Sequence, residues 1–105
     1  MNPDDIDSDD PAWEALWTLS GAYLHQDYGA DFDDWSAAAR AYRSESDPSM
    51  VASAIEQIDV LLKNLSGDKE VERALDKLGI GYNPHAHGWT YRRWLTEVAS
   101  VLHGE

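Results

Sequence analysis

Apolar residues recur along this chain at helical spacing. The sharpest run is Val51, Ile55, Ile58, Leu62 and Leu65, in alternating steps of four and three, which predicts an amphipathic helix with one buried seam. Before it, Trp13, Leu16, Trp17, Ser20 and Leu24 outline a first helix, and Trp35, Ala38, Ala39 and Tyr42 a second. After it, Val71, Leu75 and Leu78 mark a fourth, and Trp94, Leu95, Val98, Val101 and Leu102 a fifth. No segment alternates with the period of two that a half-buried strand requires, and none repeats.

The polar positions punctuate the same elements. Asp10-Pro11 and Asp47-Pro48 are start signals: the aspartate caps free backbone N–H groups, and proline brings a helical φ to the first position. The second helix starts near Asp33, with Asp33 or Asp31 as its cap. Ser66-Gly67 closes the third helix and Gly79 the fourth. Thr90 caps the fifth, with Trp89 and Trp94 placed to form a hydrophobic staple across it. The turn-forming residues from Gln26 to Phe32 separate the first two helices, and 80–88 is a loop rich in Gly, Asn and Pro. Short connections between helices predict an all-α fold, a compact bundle of about five helices. Gly21 stands inside the first helix, where glycine costs about 1 kcal/mol relative to alanine; a tight crossing by another backbone is the expected compensation. Helical spacing assigns most of the five tryptophans to the core, Trp89 with the least support.

At 105 residues the chain has room for one small domain with a core of its own. Residues 10–105 are read as a single helical domain, and residues 1–9, mostly Asp, Asn, Ser and Pro, as a disordered acidic tail. There is no cysteine, so disulfides and thiolate metal sites are excluded. A cytoplasmic location fits this and fits an acidic N-terminus, where a signal peptide would need basic residues before an apolar run. No apolar stretch is long enough to span a bilayer.

Charge changes the picture most. No lysine or arginine precedes Arg40, while ten carboxylates do, and the net charge is −12. Up to Asp47 twelve acids face two bases, so nearly all the excess lies in the first 47 residues. A concentrated negative field attracts basic partners and repels nucleic acid and anionic membranes, so neither of the latter is an expected partner.

Candidate chemistry is sparse. His85 and His87 share a loop, but zinc needs three or four ligands with outer support, and the pair reads as a chance surface feature. No Gly-rich phosphate loop occurs, and Ser20, Ser36 and Ser66 are helix or cap serines. Asp33 and Asp34 point to different sides of a helix and make no catalytic dyad. No catalytic residue, metal site or cofactor is expected, and the chain is read as a binding protein rather than an enzyme.

The segment Gly-Ala-Tyr-Leu-His-Gln-Asp-Tyr from Gly21 to Tyr28 resembles the Gly-x-Tyr-Phe-His-Gln-Asp-Trp segment of a family of small contact-dependent growth inhibition (CDI) immunity proteins. Ile58-Asp59, Leu61-Leu62, Leu78-Gly79, Tyr82-Asn83-Pro84, Gly88, Thr90, Arg92 and Trp94-Leu95 follow in the family's order. Asn83 stands where the family has Asp, and the acidic tail is not part of the pattern. The resemblance implies an all-helical protein that binds and neutralises the toxic C-terminal domain of a cognate effector. Such toxins are commonly basic nucleases, ribonucleases among them, and the implied complex is a one-to-one heterodimer formed by a monomer.

With that partner, Asp27, Asp31, Asp33 and Asp34 are the expected acidic contact face, standing in for phosphates before toxin Arg and Lys side chains. Tyr28 and Tyr82 are the expected aromatic anchors. Tyr23, His25, Gln26 and Trp94 are read as a structural motif, although His25 and Gln26 leave direct contact open, and Asp27 and Asp33 also have roles in bonding loop or helix backbone. Acidity alone fits an alternative equally well: a nucleic-acid mimic, or a general interaction module, with no toxin partner.

Overall fold

Two helices hold the others together. In the computed structural model, which describes residues 2, 5–7, 9–22, 35–80 and 84–104, the elements are α1 (Glu14–Ala22), α2 (Trp35–Glu45), α3 (Pro48–Asn64), α4 (Asp68–Lys77) and α5 (Tyr91–His103). Short 3-10 turns occur at Pro11–Trp13, leading into α1, and at Pro84–His87. α3 packs against α1 and α5, and α5 packs against α2 and α4. The radius of gyration is 12.4 Å, against about 13 Å for a folded chain of this length. The described residues contain no strand, as the sequence predicts.

The predicted start and stop residues sit where the helices begin and end. Asp10 accepts the Ala12 N–H at 2.9 Å, and Thr90 Oγ1 accepts the Arg93 N–H at 3.1 Å. α3 begins at Pro48, but the Asp47 side chain makes no capping bond. Its carbonyl receives the Met50 and Val51 N–H groups instead. Gly79 closes α4 at φ +82°, a left-handed conformation that side-chain-bearing residues resist.

The core departs from the predicted seams in two helices. On α3 the fully buried line is Val51, Ala54, Ile58 and Leu61, continued by Leu65, while Ile55 and Leu62 are half-buried at its edge. Alanine weighs little in a hydrophobic pattern, so the seam lies one residue round the helix from where the larger side chains suggest. On α1 the buried residues are Ala15, Leu16, Leu19 and Ser20. Trp17, expected inside, is 50% exposed. Glu14, Trp17 and Gly21, spaced at three and four, form the outer face of this helix. Gly21 is exposed, and no described atom lies within 4 Å of where its Cβ would stand, so no helix crosses there. Among the described residues the predicted tight crossing is absent, because the glycine faces away from their core.

The acidic N-terminal stretch also contributes to packing. Ile6, the one large apolar residue among its acids, is 4% exposed and belongs to the core cluster.

Candidate partner-binding surface

All six residues expected to meet a partner fall outside the described residues: Asp27, Tyr28, Asp31, Asp33, Asp34 and Tyr82, and with them Tyr23, His25 and Gln26 of the structural motif. What is described is the frame that flanks them in the chain: the ends of α1 and α2, and the residues up to Ile80 and from Pro84.

At the α1 end the frame is a buried hydroxyl. Ser20 Oγ lies 2.8 Å from the Trp17 carbonyl and also bonds the carbonyl of Leu78 at the end of α4. A Cβ on Gly79 would stand only 3.8 Å from the same oxygen. The end of α1 therefore lies beside the Leu78–Gly79 stop of α4. Ile80, just after that stop, is buried, and its N–H bonds the Leu75 carbonyl at 3.0 Å.

At the α2 end the frame is aromatic. The Trp35 ring lies 6.0 Å from Trp89 and 5.9 Å from Trp94, edge-on to both, within the range where aromatic pairs attract. Trp94 is fully buried. Trp35 therefore joins the two rings expected to form the staple. The Arg93 guanidinium sits 5.0 Å from the centre of the half-buried Trp89 ring.

A polar cluster ties the residues from His85 to Arg92 to the start of α4. Asp68, at the start of α4, accepts the Arg92 N–H at 3.0 Å, and its other oxygen lies 2.9 Å from His85 Nε2. The His85 ring packs edge-on to Tyr91 at 4.9 Å. Partial burial pushes the Asp68 pKa up, but hydrogen bonds from Arg92, His85 and Tyr91 outweigh it and hold the carboxyl below its ordinary value. The Tyr91 hydroxyl is pushed up by burial and by the negative charges of Glu72, Asp76 and Asp68. Arg92 then reaches the end of α3: Nη2 donates to the Leu62 carbonyl at 2.9 Å and Nη1 to that of Leu65. A cation at a helix C-terminus satisfies free carbonyls and complements the dipole. Thus His85 has a structural partner, and no group of three metal-capable side chains occurs among the described residues.

Two further surface features escaped the sequence reading. Gln57 Oε1, on α3, accepts the Leu16 N–H at 3.0 Å and so caps α1 from 41 positions away. The outward Trp17 borders an open groove of about 270 Å³ with Asp9, Asp10, Pro11 and Glu14. The first has no local sequence signal. The second had an ambiguous signal, because the helical period fits either Leu16 or Trp17 as the inner edge.

The sequence model of one family, described as CdiI immunity protein, matches residues 12–102. The chain belongs to the CdiI immunity protein family. The match runs from the turn before α1 to the last buried residue of α5 and takes in all five described helices. CdiI immunity proteins are non-enzymatic toxin inhibitors, each binding and neutralising the toxin domain of a cognate CdiA effector. No curated protein and no solved structure matches the chain. For this CdiI immunity protein no helix among the described residues is long and apolar enough to cross a membrane.

Proposed function

We propose that this CdiI immunity protein neutralises a basic, nuclease-type CdiA toxin domain by covering its active cleft, as a one-to-one complex formed in the cytoplasm. The contact surface is the acidic segment with Asp27, Asp31, Asp33 and Asp34, completed by the aromatic rings of Tyr28 and Tyr82. The observation that supports this reading is the contact between Ser20 near the end of α1 and Leu78–Gly79 at the end of α4, which brings together the described ends that precede the two sequence segments bearing these residues. The charge distribution supports it, because a cleft that grips a phosphate backbone is basic, and carboxylates can occupy the phosphate positions. Residues 10–105 act as one binding domain. The acids before them steer the encounter, and Ile6 keeps that stretch tethered to the core.

The test is reconstitution. The toxin domain of the cognate effector, mixed with this protein, is expected to lose nucleolytic activity at one equivalent. A stable complex that still cleaves nucleic acid would overturn cleft occlusion. A toxin with no nuclease activity would overturn the substrate class but leave the immunity role.

A further inference from the structure

We infer that the exposed indole of Trp17 is an anchor for an arginine-bearing basic segment of the toxin domain, which lies in the groove between α1 and the acidic residues that precede it. This rests on the reading of the partner as a basic toxin domain and adds a second contact surface, on α1 itself.

An indole normally withdraws from water, because burying it is worth more than burying any other side chain of this fold. Among the described tryptophans Trp13 and Trp94 are buried and Trp35 and Trp89 half-buried. Trp17 alone of these stands out, 50% exposed. The residue four positions on is Gly21, which has no side chain and faces open space. One side of the ring therefore lies bare along the outer face of α1.

Its surroundings select the occupant. The groove, about 270 Å³, has Trp17 and Pro11 as its apolar lining and Asp9, Asp10 and Glu14 as its polar lining. Asp10 already accepts the Ala12 N–H, but a carboxylate has acceptor capacity to spare. Among the described residues none of the three carboxylates forms an ion pair, and no Lys or Arg occurs before Arg40 to supply one locally. An aromatic face beside unneutralised carboxylates suits a guanidinium. The planar cation stacks on the indole while its N–H groups bond the acids, and arginine does both better than lysine. A hydrophobic or acidic partner segment would leave these carboxylates desolvated and unpaired.

The experiment uses the full chain and the cognate toxin domain, with affinity and rates measured by surface plasmon resonance. Trp17→Ala is expected to raise Kd about 30-fold, the loss typical of a central aromatic anchor, mainly through faster dissociation. Val60→Ala, which alters an exposed apolar residue on α3, is the control and is expected to leave Kd unchanged. Asp9→Asn with Glu14→Gln is expected to slow association and flatten its salt dependence. Because Trp17 is outside the core, thermal melts of the variant should match the parent, so weakened binding cannot be unfolding. If the parent binds and Trp17→Ala binds equally well, this inference alone is overturned. If the parent itself does not bind the toxin domain, the proposed function falls with it.

Discussion

Asp68 and Arg92, 24 positions apart, are joined by a 3.0 Å bond from the Arg92 N–H to the Asp68 carboxylate, while the Arg92 side chain closes the end of α3. One residue pair thereby fixes three helices: the start of α4, the first turn of α5 and the last turn of α3. Replacing Asp68 with alanine is expected to cost about 1–3 kcal/mol, the range for a bond to a charged group. The sign of its pH dependence follows from the lowered pKa. The contribution is complete above the ordinary aspartate value of about 3.9 and disappears as pH falls through the lower folded value. Urea unfolding of parent and Asp68→Ala at neutral pH and again near pH 3 checks this; the stability gap should shrink in acid.

Ser20→Ala removes the buried hydroxyl between α1 and α4. The Leu78 carbonyl then loses this donor, and the expected cost is about 1 kcal/mol. A lower thermal midpoint is the readout. If the contact between the ends of α1 and α4 matters for binding, affinity for the toxin domain should fall as well.

Gly21→Ala should act in the opposite direction. The position is helical, exposed and sterically open, so alanine is expected to stabilise by up to about 1 kcal/mol. For a domain of this size that corresponds to a rise of several degrees in Tm. A destabilised variant would mean that something covers Gly21 after all.

Asp31→Lys combined with Asp34→Lys tests the acidic segment directly. Association with the toxin domain is expected to slow by about tenfold at low salt, with the difference fading as salt is raised. Stopped-flow mixing at two ionic strengths measures it. Unchanged rates at both would remove these acids from the contact surface while leaving the immunity role in place.

Much of the fold was legible in the sequence because local rules decided it. Pro48 opening α3, Thr90 capping α5 and Gly79 closing α4 are each set by one or two neighbouring residues. What escaped was decided by distant partners. Gln57 capping α1 and Arg92 capping α3 obey no local pattern, since their targets lie 41 and 27 to 30 positions away. Trp17 escaped for another reason. Leu16 and Trp17 are adjacent, so the helical period fits either as the inner edge, and Ala15 and Leu19 decide between them only once α3 is in place. The acidic segment was legible as composition, and its residues lie outside the described part of the chain.

Several supports of α1 and of Trp35 come from further along the chain. Leu16 is capped by Gln57, Ala15 receives the Tyr42 hydroxyl, Ser20 bonds Leu78, and Trp35 leans on Trp89 and Trp94. During synthesis, therefore, the ribosome releases nearly all of the negative charge before it releases the residues that shape it. A chain cut before α5 keeps most of the acids but loses the Trp94 ring that Trp35 packs against. A stop codon at the start of α5 is therefore expected to abolish protection as completely as one ahead of α1.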